Sequence, residues 1–206
     1  MITSDRERQA PQSIAEAEPS HLVRYQFACQ FLNQESIVLD VPCGSGYGVA
    51  LMSEHAQVVY GVDIFAPAIE HAKELFSNER TKFLVSDGHN MQALFPDSGC
   101  FDIITSFEGI EHLQNPEQFL HELHRLLKPE GLLIISTPRK PHGSPYHIRE
   151  FTLLEYTEIL SSHFHIRSMN GQLFTDIFDM EERAVNPDIY PHFNFIAVCS
   201  KSNQAN

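Results

Sequence analysis

The chain has 206 residues, 42% of them apolar, and a formal net charge of −13. That length suits one domain with a sizeable core, and no apolar run reaches the ~20 residues of a membrane span. A negative field of this size repels phosphate backbones, so DNA and RNA are poor substrate candidates. Four scattered cysteines suit reduced thiols in a cytoplasm and carry no metal-binding spacing.

Residues 1–20 are polar and acidic. They read as a flexible N-terminal arm ahead of a single domain over 21–206, not as a signal peptide. HLVRYQFACQFL (21–32) places Leu22, Tyr25, Cys29 and Leu32 on one helical face. SIVLD (36–40) is a strand ending at Asp40, and a glycine-rich turn follows it into a helix that runs to about residue 55. QVVYGVD (57–63) is a second strand, ending at Asp63. Pro67 opens a helix whose stripe is Ala68, Ile69, Ala72, Leu75 and Phe76. TKFLVSD (81–87) and FDIITSF (101–107) are the next two strands. Asn115-Pro116-Glu117 starts a helix with Phe119, Leu120, Leu123, Leu126 and Leu127 on its apolar face. Lys128-Pro129-Glu130-Gly131 ends it, and GLLIIST (131–137) is again a strand.

The rhythm then breaks. PRKPHGSPYHIREF (138–151) carries three prolines and reads as irregular. Thr152-x-x-Glu155 is a capping box before a helix with Leu153, Tyr156, Ile159 and Leu160. FHIRSMNGQLF (164–174) and FNFIAVCSK (193–201) are late strands around an irregular acidic stretch, 175–192. Strand–helix alternation predicts an α/β, doubly wound, mostly parallel sheet with helices on both faces.

In such sheets ligands bind beyond the carboxyl ends of the strands. VLDVPCGSGYG (38–48) turns there. Gly44 and Gly46 let the backbone approach a ligand with no Cβ in the way. Asp63 lies 19 residues after Gly44, where a carboxylate can accept from both hydroxyls of a ribose. Asp87 ends the third strand, where it would meet the base. Together these acids point to a nucleoside. The dinucleotide fingerprint needs a third glycine, but Val49 stands in its place, and no GK[ST] follows to cradle phosphates. A nucleoside with a small zwitterionic tail fits better.

With these motifs the sequence resembles the class I S-adenosylmethionine-dependent methyltransferases. LDVPCGSGYG resembles their first motif, Asp63 the acidic ribose ligand, and SDG (86–88) the adenine-side motif. FDIITSFEGIEHL and RLLKPEGLLIISTP resemble the segments around the fourth and fifth strands. HLVRYQFA and SPYHIREFT resemble small bacterial members associated with glycan biosynthesis. The resemblance implies seven strands with an antiparallel last one, and S-adenosylmethionine as cofactor. It implies that Asp40 lies under the methionine part and orders the turn, while Gly44 and Gly46 pass beneath the cofactor. Asp63 would hold the ribose, Ile64 and Phe65 would flank the adenine, and Asp87 and Gly88 would contact its edge. Phe107 and Glu108 would lie beside the methionine, with Arg24 and Tyr25 closing over its carboxylate. Pro42 departs from the family's usual glycine and stiffens the turn.

A hydroxyl acceptor needs a base, for which histidine is the usual group. The twelve histidines show no HExxH-type spacing, so no metal is expected. His71, His121 and His124 read as solvated helix residues. His112, after the fourth strand, and His147, in the proline-rich loop, stand where an acceptor must lie. His112 is the candidate base, with Glu111 orienting it, and Tyr146, His147 and Arg149 shape the acceptor pocket. The expected acceptor is a small molecule or glycan, methylated on oxygen or nitrogen. The competing readings are a cofactor-binding protein without transfer activity and a nicotinamide-dependent oxidoreductase. A nucleic-acid methyltransferase is disfavoured by charge and by SFEGIE where an Asn/Asp-Pro-Pro-Tyr segment would stand. Oligomeric state is open, a homodimer included.

Overall fold

The computed structural model describes residues 9–183 and 193–202. Five strands alternate with helices in its first two thirds: α1 (Pro19–Cys29), β1 (Ile37–Asp40), α2 (Tyr47–Ser53), β2 (Val58–Asp63), α3 (Ala66–Phe76), β3 (Thr81–Val85), β4 (Phe101–Phe107), α4 (Pro116–Leu126) and β5 (Leu127–Pro138). Then come α5 (Leu153–Ser161), β6 (Phe164–Leu173), β7 (Asp176–Asp179) and β8 (Asn194–Lys201). All eight strands join one sheet in the order β3-β2-β1-β4-β5-β8-β6-β7. β1 to β5 pair in parallel, β8 is antiparallel to both β5 and β6, and β7 is antiparallel to β6. The fold is the doubly wound α/β class that the sequence predicts.

Alternation along the strands builds two cores. Leu39, Ile104, Leu133, Ile135 and Phe195 pack with α4 and α5. Their neighbours Val38, Ile103, Ile134, Ile196 and Val198 pack with α1, α2 and α3. A buried strand therefore reads as a continuous apolar run, because both faces are covered. In α4, Asn115 accepts from the Gln118 N–H, and the capping box of Thr152 and Glu155 opens α5 as expected. The cap aims Tyr156 at the sheet, where its hydroxyl donates to the Ile135 carbonyl at 2.9 Å.

Several local readings need correction. β7 adds an eighth strand inside the stretch expected to be irregular. It returns from β6 through Phe174, a non-glycine residue at φ +54. No glycine or asparagine marks that turn, and DIFD has charged ends, so the usual hairpin signals are missing. Residues 128–131 lie within β5, as a bulge between the Leu127–Phe101 and Leu132–Ile103 pairs. The expected arm is partly packed: Pro11 and Ala17 are buried, and the Pro11 carbonyl accepts from His71 Nε2 at 3.0 Å. His71 is thus a buried residue, not a solvated one. Residues 1–8 and 184–192 of the two expected irregular regions lie outside the described residues.

One buried acid joins three elements. Asp40 is fully buried at the end of β1. It accepts from Thr105 Oγ1 of β4 at 2.7 Å and from the Tyr25 hydroxyl of α1 at 3.2 Å. Burial pushes its pKa up from 3.8 to about 7, against the pull of those two hydrogen bonds.

A raised acid pKa stabilises the fold fully below the unfolded value, and that contribution is lost as pH climbs through the folded value. Wild-type stability should therefore fall from pH 4 to pH 7, at up to ~1.4 kcal/mol per pH unit from this group. In Asp40→Asn that fall should flatten, read from urea midpoints at each pH. Equal slopes in the two proteins would contradict the assignment. Tyr156→Phe, which leaves a buried carbonyl short of a donor, should cost about 1–2 kcal/mol in the same measurement.

Candidate functional site

A cavity of about 1050 Å³ opens at the carboxyl ends of the five parallel strands. Its lining comes from the turn after β1 (Val41 to Ser45), Asp63 to Phe65 after β2, and Ser86 to His89 after β3. Phe107 to Gln114 after β4, Pro138 at the end of β5, and the loop around His147 complete it. The sheet order reverses between β1 and β4, and that is where an open α/β sheet leaves a crevice.

Asp63 organises the first end. Its Oδ2 accepts from the Gly44 N–H at 2.9 Å, and its Oδ1 from the Phe65 N–H at 2.8 Å. The turn is therefore fixed by Asp63, not by Asp40, which reaches only Tyr25 and Thr105. A carboxylate offers about four lone-pair directions, so two remain. Pro42, joined to Val41 by a cis peptide, lines the cavity.

The two glycines have different tasks. Gly44, at φ +53, lines the cavity, and a Cβ built on it meets nothing within 4 Å. Gly46, at φ +90, is not on the lining. A Cβ there would stand 2.5 Å from Ala72 Cβ and 2.8 Å from the Phe83 ring. It lets α2 start close to α3 and β3, which corrects its expected place beneath a ligand.

Ile64 and Phe65 project into the cavity, Ile64 with 68% of its surface exposed. Across from them Asp87 accepts from the backbone N–H of His89 at 2.9 Å and from its Nδ1 at 2.7 Å. Those bonds hold the Asp87 carboxyl below its usual pKa, the backbone bond most. Gly88 lies on the same wall, close under Phe119.

Phe107 and Glu108 form the middle. The Phe107 ring meets Tyr25 edge-on at 5.0 Å. Glu108 holds φ +51, a conformation that costs a non-glycine residue about 1–2 kcal/mol. Its Oε1 accepts from Ser136 Oγ at 2.7 Å and its Oε2 from Asn194 Nδ2 at 2.9 Å. Tyr25 lines this region, but Arg24 does not. Arg24 is buried and donates to Gln172 Oε1 at 3.0 Å, with its Nε left unpartnered. His21, one helical turn before Tyr25, lines the cavity instead. Burial lowers its pKa to about 4, with Arg24 adding to the effect, so the ring is neutral near pH 7.

The far end carries the histidines. His112 Nδ1 is 3.1 Å from the Tyr146 carbonyl. That oxygen accepts, so the Nδ1 hydrogen is placed there and Nε2 keeps its lone pair. Nε2 faces Glu111 Oε1 at 3.9 Å. Glu111 is buried and accepts from Thr137 Oγ1 at 3.0 Å. Burial, and next the charge of Glu108, push its pKa well above the usual carboxyl value. The Glu111 carbonyl also accepts from the N–H groups of Ile148 and Arg149, which ties the proline-rich loop to this turn. His147 and Tyr146 line the cavity. Arg149 does not. Its guanidinium donates to the Gln114 carbonyl at 3.2 Å, which removes it from the pocket it was expected to shape.

His142 and Tyr47 also line the cavity, beyond the residues expected from sequence. Among the described residues no helix is long and apolar enough to cross a membrane.

Comparison with known proteins agrees with this layout. A family model described as a methyltransferase domain matches residues 39–135. A probable S-adenosylmethionine-dependent methyltransferase of Mycolicibacterium smegmatis is 31% identical over 133 residues, 61% of this chain and 50% of the relative. The ubiquinone biosynthesis O-methyltransferase of Glaesserella parasuis is 35% identical over 104 residues, 48% of this chain and 44% of the relative. The chain thus spans about half the length of the curated relatives it matches. Among solved structures, a chain of the complex between the Haloferax volcanii Trm112 methyltransferase activator and a methyltransferase superposes with a TM-score of 0.74. That match is 17% identical and covers 92% of this chain and 94% of the other. Residues 39–135 thus resemble a methyltransferase domain, and the chain shares the fold of a solved methyltransferase complex.

Proposed function

We propose that the chain methylates a hydroxyl group of a small-molecule acceptor, sugars included, with S-adenosylmethionine as donor. The observation that carries this reading is the polarity of the cavity. One end presents backbone and carboxylates suited to a nucleoside, and the other presents an imidazole with a free Nε2. When bound, S-adenosylmethionine supplies a methyl group already activated by its sulfonium.

The residues fit that cofactor. Gly44 borders open space, so a ligand can lie against its backbone. Asp63 keeps two acceptor directions for ribose hydroxyls, and Asp87 is charged where an adenine amine would donate. Ile64 and Phe65 offer apolar faces for the ring. Phe107 and Glu108 border the methionine side.

His112 is the general base for the acceptor. Its Nδ1 hydrogen is held by Tyr146, so Nε2 takes the hydroxyl proton as oxygen bonds to carbon. Tyr146 and His147 face the same space and position the acceptor. Oxygen is preferred over nitrogen as the target because a hydroxyl needs this base. The name of the Glaesserella relative supports the same choice. A glycan-biosynthetic acceptor fits the likeness of SPYHIREFT to glycan-associated members. The acidic composition and Val49 in place of a third glycine favour this nucleoside over a phosphate-bearing dinucleotide.

Calorimetry should detect S-adenosylmethionine binding and no NAD binding. Asp87→Ala should weaken the former by ~10-fold, in line with the loss of a charged hydrogen bond. Binding of NAD alone would end the reading. Formation of S-adenosylhomocysteine should be followed across a panel of phenolic and sugar acceptors. With an acceptor in hand, His112→Gln should lower kcat by ~10²–10⁴-fold while cofactor affinity stays within about twofold. Undiminished kcat would remove His112 as the base.

A further inference from the structure

Three imidazoles meet at the acceptor end. His112 and His147 stand edge to face with ring centroids 5.1 Å apart, and His142 stacks on His147 at 4.8 Å. Local spacing gave no hint of this, because the groups come together only through the path of the loop between β5 and α5.

Within the cluster, one nitrogen each from His142 and His147 and one oxygen of Glu150 all lie within 4.8 Å of one another. His147 Nδ1 stands 3.9 Å from Glu150 Oε1. Ligand atoms at about 2.0–2.2 Å around a tetrahedral zinc ion are about 3.3–3.6 Å apart. Drawing the ligand atoms together by about 1.5 Å or less closes the set.

The loop is built to present these groups. Its base is tied by the Lys140 N–H donating to the Phe151 carbonyl at 2.8 Å. Glu150 folds back across it and accepts from the N–H groups of Gly143 at 2.6 Å and His142 at 3.0 Å. Those bonds orient the carboxylate and favour its charged form. The outer-shell hydrogen bonds that normally fix a metal-bound carboxylate are thus already in place.

A second group, Glu111 with His112 and His147, has similar separations. Its carboxyl is buried and already accepts from Thr137, whereas Glu150 is partly exposed and open to an ion arriving from solvent. A single ion has one use for His147, and the loop set supplies all three ligands from nine residues.

We propose that His142, His147 and Glu150 form a binding site for a divalent transition-metal ion of the zinc type. Two imidazoles and a carboxylate match the preferences of zinc. His142 and His147 also line the cavity, so the remaining coordination position faces the space assigned to the acceptor. An ion there binds a hydroxyl oxygen directly and fixes the loop over the cavity mouth. The site belongs to the loop and stands whether or not the cavity transfers methyl groups.

The test is titration of the full chain, stripped with chelator, by zinc and by cobalt as a spectroscopic probe. The expected result is one ion per chain with Kd of ~1 μM or tighter, and the visible bands of four-coordinate cobalt. His142→Ala and Glu150→Gln should each weaken binding by at least ~10-fold, and His112→Ala should leave it unchanged. Circular dichroism melts without metal establish that each variant is folded. Should Glu150→Gln unfold the loop, His142→Ala alone decides. Only weak, multiple binding in the wild type would overturn the site. So would loss of binding in His112→Ala with retention in His142→Ala, which would put the ion on the other group. Calorimetry of S-adenosylmethionine on the metal-free chain keeps the outcome separate from the reading of the cavity.

Discussion

The fold turns on a carboxyl group with no access to water. Asp40 sits where β1 ends, and its two hydrogen bonds join that strand to α1 and to β4. Removing a carboxylate from water is costly, and the fold meets that cost by raising its pKa instead of supplying a cation. The result is a buried carboxyl group that takes up its proton near pH 7. Tyr25, held by it, presents its ring to Phe107 and Tyr47, so the aromatic floor of the site inherits its position from Asp40.

Above that floor the carboxyl groups divide by environment. Asp63 and Asp87 line the cavity and are held by backbone N–H donors. Glu111 is buried, and burial pushes its pKa well up. One cavity therefore offers carboxylate acceptors at one end and a sealed carboxyl beside an imidazole at the other. This is the kind of separation by environment that lets similar side chains take different roles.

The sheet was legible because each parallel strand is covered on both faces and so reads as an apolar run. The acids that end β1 and β2 were legible because those runs stop at them, and Asp87 stands two residues beyond β3. The side chains behind them were harder. Asp40 and Asp63 occupy equivalent positions in sequence, yet one is sealed beneath the floor and the other holds the glycine turn. Nothing local distinguishes them. The resemblance pairs Arg24 with Tyr25, although Arg24 lies 100° around the helix from it. His21, four residues before Tyr25, shares the face that matters, and the helical period would have found it. Gly46 looked like part of the ligand cradle because glycine serves both for close approach and for packing. The two uses separate only when Ala72 and Phe83 are placed beside it. The histidine cluster depends on the path of a proline-rich loop, which periodicity does not describe.

Glu108 keeps its left-handed backbone while bonded to Asn194, the first residue of β8. β8 is the last of the described strands in chain order, yet it lies inside the sheet, between β5 and β6. The cavity wall is therefore completed by a segment that leaves the ribosome after the seven described strands before it. Until then Glu108 lacks one of its two supports, and β5 has a free edge open to pairing with other chains. Maturation of the site and protection of the sheet become a single late event in the life of each new molecule.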